Sequence, residues 1–257
     1  WLAWYLHGKG DGKFSEAYIF ESGANKWRTY DAWPPREAKP KGIYLGGNGR
    51  VLFDPPAASG CNSYVSDPQR PIPYIARPVD GTRWRQWLVE DQRFVDNRPD
   101  VLTWKSDVLA TDMVIAGDVT ANLFAKTTGT DADWVVKLID VYPDSVPDNR
   151  TWGGYQLMTN ADIMRGRYYK SWSVPAPIPA NTVTKFTVDL HQQLYRFKAG
   201  HRIMVQVQST WFPLYDRNPQ TYVPNIFEAK ASDFKAQTHS VCWGPGQASH
   251  IAVGVLP

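Results

Sequence analysis

Along much of this chain, apolar residues return at every second position. Val119, Ala121, Leu123 and Ala125 alternate with Thr120, Asn122 and Phe124, so the four aliphatic residues share one face of a strand. Ile203, Val205 and Val207 set one face against Gln206 and Gln208, which predicts β-branched residues turned inward and glutamines turned largely outward. From Thr182 to Leu190 the same period opposes Phe186, Val188 and Leu190 to Thr187 and Asp189. The run Trp134–Tyr142 is apolar on both faces apart from Lys137 and Asp140, and reads as a central strand. Clusters of Gly, Pro, Asn and Asp bound these runs from about residue 16 onward. The fold class they predict is all-β, a sandwich.

Little helix is expected. Residues 1–6 read as the last turns of an interrupted helix, and Gly8-Lys9-Gly10-Asp11-Gly12 as a flexible break. That divides the chain into a boundary segment, 1–12, and one β domain, 13–257. A short amphipathic helix within 83–91 would pack Trp84, Trp87 and Leu88 onto the sandwich at i, i+3 and i+4 spacing. A turn or two is expected near Phe227–Phe234. The proline-rich stretches 71–78 and 175–179 are expected as extended surface connections, since each proline removes a ladder donor.

Charge changes this picture little. With 28 Lys and Arg against 25 Asp and Glu, and no basic run to track phosphates, nucleic acid is not an expected partner. No window reaches the roughly 18–20 consecutive apolar residues of a spanning helix, so no membrane partner is expected. The two cysteines, Cys61 and Cys242, leave a single bridge and two free thiols equally open.

Catalytic motifs are missing. No Gly-x-Ser-x-Gly occurs, and Ser171, Ser173 and Ser209 have no adjacent glycine and read as strand-edge hydroxyls. His201 follows Gly200, where an imidazole bonds turn carbonyls. His239, Cys242 and His250 match no common zinc spacing, so neither a metal nor any other cofactor is expected. Turn chemistry explains most of Asp131, Asp133, Asp140 and Asp144, since Thr128–Asp133 and Tyr142-Pro143-Asp144 resemble hairpin or loop connections. In Asp216-Arg217-Asn218-Pro219 a charged pair before Asn-Pro reads as the lock of a long loop. Among twelve tryptophans, Trp84 and Trp87 lie in the polar stretch Asp80–Trp87 with Arg85, and are the ones expected to face a ligand or a partner domain.

The order of several segments resembles the C-terminal domain of the X-Pro dipeptidyl-peptidase and cocaine esterase family of acyl esterases. They are Asp131–Asp144 (DADWVVKLIDVYPD), Phe197–Ile203 (FKAGHRI), Phe212–Pro219 (FPLYDRNP) and the closing Ser249-His250-Ile251 and Val255-Leu256-Pro257. Trp87–Asp96 (WLVEDQRFVD) with Arg98-Pro99-Asp100-Val101-Leu102 is most similar to α-amino-acid ester hydrolases and glutaryl-cephalosporin acylase-like proteins. Val253-Gly254-Val255 departs from the family's more apolar ending.

The resemblance implies a jelly-roll sandwich of the galactose-binding-domain-like kind. It implies a parent serine hydrolase whose α/β-hydrolase domain, on the same polypeptide, ends near residues 1–10. No position matches the family's catalytic serine, aspartate, histidine or oxyanion-hole tyrosine, so this chain alone is expected to be inactive. The implied role is to pack on the catalytic domain and wall its active-site entrance, with Trp84, Arg85 and Trp87 as entrance candidates. His201, Asp216, Arg217, Asn218 and His250 match family motifs as architecture. A small ester or amide at the domain interface is the implied ligand. The parent's oligomeric state stays open, and the family setting implies a periplasmic or secreted location. A carbohydrate-binding module that uses exposed tryptophans is the competing reading.

Overall fold

The computed structural model describes residues 1–79, 81, 85–147 and 149–257. One short helix, α1 (Leu2–His7), precedes the strands β1 (Ala17–Glu21), β2 (Lys26–Tyr30), β3 (Lys39–Leu45), β4 (Val51–Leu52), β5 (Gly60–Ser66), β6 (Leu102–Lys105) and β7 (Met113–Thr127). There follow β8 (Asp133–Val141), β9 (Gln156–Arg165), β10 (Thr184–Phe197), β11 (Arg202–Gln208), β12 (Gln237–Trp243) and β13 (His250–Leu256). The alternating runs fall within β7, β10 and β11, apart from Thr182 and Val183 just ahead of β10, so the fold is the expected all-β one.

The longest strand, β7, organises the larger sheet. β10 pairs along one of its edges; β13 (through residues 114–122) and then β12 (through 124–127) pair along the other. β3 and β4 extend the sheet beyond β13, and β5 extends it beyond β12. The smaller sheet runs β6-β11-β8-β9, with all pairs antiparallel. Two-residue periodicity turns Ile115, Val119, Ala121, Leu123, Phe186 and Val188 of the larger sheet toward Trp134, Val136, Leu138, Ile203, Val205 and Val207 of the smaller. Trp134 lies 5.2 Å from Phe186, ring centre to ring centre. Each fully buried side chain of this size contributes roughly 1.5–3 kcal/mol.

Two strand irregularities have local causes. Between Asp189 and Gln192 the register of β10 slips, and His191 takes φ 65° there. Between Ala252 and Val255 β13 slips against β7, and a Cβ on Gly254 would lie 2.6 Å from the Ala116 carbonyl oxygen. Only glycine permits that approach, which accounts for the departure from a more apolar ending; β13 forms in full.

The outer face of the smaller sheet is not solvated. Val135, Ile139, Met158 and Met204 pack there under Tyr74, Ile75 and Trp211, with half-buried Trp87 at the margin. The proline stretch 71–78 is therefore extended, as expected, but it is a covering layer rather than a surface connection. Ile72, Tyr74 and Ile75 are buried, and Tyr74 and Ile72 exchange backbone hydrogen bonds with Phe212. The same cover corrects the outward glutamines: Gln206 and Gln208 occupy the expected face and are fully buried. The 175–179 stretch is free of strand, yet Ile178 is buried in the main core.

No α-helix forms within the described part of 83–91. A short 3₁₀ turn at Gln86–Val89 stands there instead, followed by another at Gln92–Phe94, and Leu88 is exposed. Similar turns occur at Ile226–Glu228 and Ala231–Asp233. Cys61 and Cys242 are direct register partners on β5 and β12 and form a disulfide across 181 positions of sequence. Among the described residues no helix is long and apolar enough to cross a membrane.

Candidate functional site

The entrance candidates lie at the edge of the covering layer. Trp84 lies outside the described residues. Arg85 is exposed at φ 67° and opens the 3₁₀ turn that carries Trp87. The Trp87 ring meets Trp211 edge-on at 5.4 Å and Tyr74 at 6.3 Å. Trp211 in turn stacks on Tyr215 at 6.0 Å. Beside this aromatic set, Pro73, Arg77, Pro78, Val79, Phe212 and Pro213 line an open apolar groove of about 760 Å³. Val79 and Leu214 are exposed on the groove's segments, and Leu88 and Val89 are exposed on the turn that carries Trp87, so apolar surface forms a ledge along the stretch that the sequence singled out.

Beneath the ledge sits a buried cation. Lys137 Nζ donates to Gln92 Oε1 at 2.8 Å and lies 5.4 Å from the Trp211 ring centre. Burial alone pulls its ammonium down to about 7, since no carboxylate offsets the loss of water. Gln206 stands opposite Lys137 in the ladder, and among the described residues neither of its amide atoms has a partner. The signal for Lys137 is in the sequence, as a lone cation in an apolar strand. Its partner Gln92 sits in a loop without periodicity and gives none.

The motif residues build architecture. His201 Nδ1 meets Asp140 Oδ1 at 2.9 Å, and its ring packs on Tyr142 at 4.5 Å, so a carboxylate holds it rather than turn carbonyls. This is the base-and-orienter half of a triad, but no serine or cysteine among the described residues donates to the ring. Tyr195 Oη donates to the same carboxylate at 2.7 Å. Asp216 pairs with Arg165 at 2.7 Å, whereas Arg217 donates to the Pro68 carbonyl at 3.0 Å and lies 5.2 Å from the Phe234 ring centre. The two residues thus anchor the loop in different directions and do not pair with each other. Buried Asn218 donates to Asp133 at 2.8 Å and accepts from the Gln220 backbone. His250 meets the Ala248 carbonyl at 2.8 Å.

Asp131 and Asp133 are not solvated turn residues. Asp131 is fully buried with Arg167, whose guanidinium reaches one oxygen through two nitrogens at 2.6 and 2.8 Å. Burial pushes Asp133 up to about 7 despite Arg165 and Asn218 beside it. The arginines that satisfy these acids lie more than thirty residues away on β9 and the turn after it. Spacing along the chain could not pair them.

Ser209 is buried and bonds Tyr64 Oη at 2.6 Å, while Ser171 and Ser173 face one another at the surface. His239 Nε2 meets Gln220 Oε1 at 2.6 Å, and burial holds its imidazole near 3. With Cys242 in the disulfide, the set His239, Cys242 and His250 has no free thiolate. No group of three or more His, Cys, Asp or Glu among the described residues is placed to hold a metal.

The fold and these networks define an all-β domain whose identified ionisable groups serve packing and loop anchoring. The family of the X-Pro dipeptidyl-peptidase C-terminal non-catalytic domain matches residues 4–252, and the chain belongs to that family. It is 30% identical over 250 residues to cocaine esterase of Rhodococcus sp. (strain MB1 Bresler), covering 93% of this chain and 41% of the relative. The aminopeptidase of a marine sediment Thaumarchaeota archaeon superposes with a TM-score of 0.96 at 44% identity, covering 100% of this chain and 43% of that one. A selenomethionine-labelled α-amino acid ester hydrolase superposes at 0.93 with 45% identity, covering 99% and 43%. The chain therefore spans about two fifths of the length of the relatives it matches.

Proposed function

We propose that this non-catalytic domain packs against the α/β-hydrolase domain of a serine acyl-ester hydrolase, on the same polypeptide, and shapes its active-site entrance. Within the family, an α-amino-acid ester or related acyl hydrolase is the reading that the 45% identical structure favours. The observation that carries the reading is the apolar ledge around Trp87 and the Pro73–Phe212 groove. A covered interface would explain why so much apolar surface stands beside an ordered aromatic set. The relatives' remaining length supplies an occupant of the right size. The nucleophile, its histidine and its aspartate would then lie on the partner domain.

Two measurements test this. The 257-residue chain should not turn over p-nitrophenyl esters; turnover blocked by a serine-directed inhibitor would place the chemistry here instead. In the hydrolase carrying this domain, Trp87→Ala should raise KM several-fold for bulky acyl esters and leave kcat near its original value. Unchanged KM for every ester tried would remove Trp87 from the entrance.

A further inference from the structure

A second feature lies at the end of the smaller sheet. Arg202, Val141 and Gln156 form one register row across β11, β8 and β9. Residues directly opposite on neighbouring strands present their side chains to the same face. At about 4.8 Å between strands, the row sets a guanidinium-bearing and an amide-bearing position roughly 10 Å apart. Together with Arg93, Lys105 and Asp144 it lines a cleft of about 480 Å³. The wall at Gly153 has no room for a side chain, since a Cβ there would lie 2.5 Å from the Asp144 carbonyl oxygen.

The charges around this cleft are of two kinds. Lys105 is neutralised in place by Asp96 at 2.6 Å, and Arg93 by Asp91. Arg202 and Asp144 are not neutralised. One Arg202 nitrogen donates to the Ser106 carbonyl at 3.0 Å, yet among the described residues no carboxylate pairs with it and no cation pairs with Asp144. Gln156 is 4% exposed. Its Nε2 is held by Asp96 at 2.7 Å, which fixes the side chain, and its Oε1 is buried without a partner among the described residues. Among the described residues the cleft thus offers an unpaired cation and an unpaired anion, with its other charges balanced. A simple anion or a simple cation would leave one end unmatched.

We propose that this cleft binds a small zwitterion, a free α-amino acid or a dipeptide, with its carboxylate on Arg202 and its ammonium on Asp144. Arginine suits a carboxylate because its guanidinium forms paired hydrogen bonds. The proposal does not rest on the hydrolase reading and involves none of the ledge residues. Inactivity of the domain, or failure of the Trp87 experiment, leaves it standing.

Titration calorimetry with alanine, alanylalanine, alaninamide, N-acetylalanine and acetate tests it. Saturable binding of alanine or alanylalanine, at least tenfold tighter than alaninamide, N-acetylalanine or acetate, is expected. The tighter of the first two identifies the ligand as amino acid or dipeptide. Arg202→Met should weaken the zwitterion tenfold or more and abolish discrimination against alaninamide, and Arg202→Lys should recover part of the loss. Asp144→Asn, at an exposed position, should abolish discrimination against N-acetylalanine and keeps the test intact if the Met variant misfolds. Lack of saturable binding by either zwitterion, acetate binding as tightly, or binding indifferent to Asp144→Asn would each overturn the proposal.

Discussion

Replacing Lys137 with methionine isolates the energetics of one buried cation. The side chain is fully buried, with Gln92 as its hydrogen-bond partner, and burial lowers it from 10.5 to about 7. That difference corresponds to ~5 kcal/mol favouring the neutral amine inside the fold. Between pH 7 and 10.5 the unfolded chain binds a proton here that the folded protein does not, so this residue's contribution to stability rises with pH. It falls by about 1.4 kcal/mol per pH unit as pH drops toward 7. At pH 7.5 the proton costs about 4 kcal/mol. Methionine removes that cost, fills a similar volume and leaves Gln92 without its donor, a loss of about 1–3 kcal/mol. The variant should therefore be more stable by roughly 1–3 kcal/mol at pH 7.5. By pH 9.5 that advantage should have fallen by about 3 kcal/mol and changed sign or vanished. Urea unfolding of both proteins at half-unit steps between those pH values reads the gap directly, and titrations shared by the two proteins cancel. Both cysteines are paired, so thiol exchange does not intrude at the alkaline end. A gap that stays within about 0.5 kcal/mol across the range would mean that Lys137 is charged in the fold, and the burial argument fails.

Two further changes probe the networks. Cys61→Ala with Cys242→Ala opens a loop of 181 positions and should cost up to about 5 kcal/mol by chain entropy, read as a lower urea midpoint with the same fold by circular dichroism. An undiminished midpoint would show the bridge to be energetically idle. Asp131→Ala strands the buried Arg167 and should cost about 3–5 kcal/mol, while Asp131→Ala combined with Arg167→Met should recover much of it; a double variant no better than the single one contradicts the pairing.

The inner faces were legible because one side of each strand meets an apolar layer, and a period of two records that directly. What lay hidden was the second layer. Gln206 and Gln208 look like solvent-facing residues by period, and only the long-range cover by the 71–78 segment and Trp211 makes them interior. Asp131 and Asp133 failed for a related reason: their partners Arg167 and Arg165 come from another strand region, and local turn chemistry was the nearer explanation. The family segments located motif positions such as His201 and Asn218 but did not say whom they touch. Trp87 was found from its polar setting, yet its packing against Trp211 required two loops that sequence cannot bring together.

The bridge between β5 and β12 also has a mechanical meaning. Pulled from its two ends, this domain would let only residues 1–60 and 243–257 pay out, since everything between the bonded cysteines lies behind a covalent shunt. Roughly 600 Å of contour is withheld from extension in this way. Force arriving at either terminus strips β3 and β13, and with β13 its pairing to β7, before it meets the bonded edge pair of the larger sheet, behind which the smaller sheet stays unloaded.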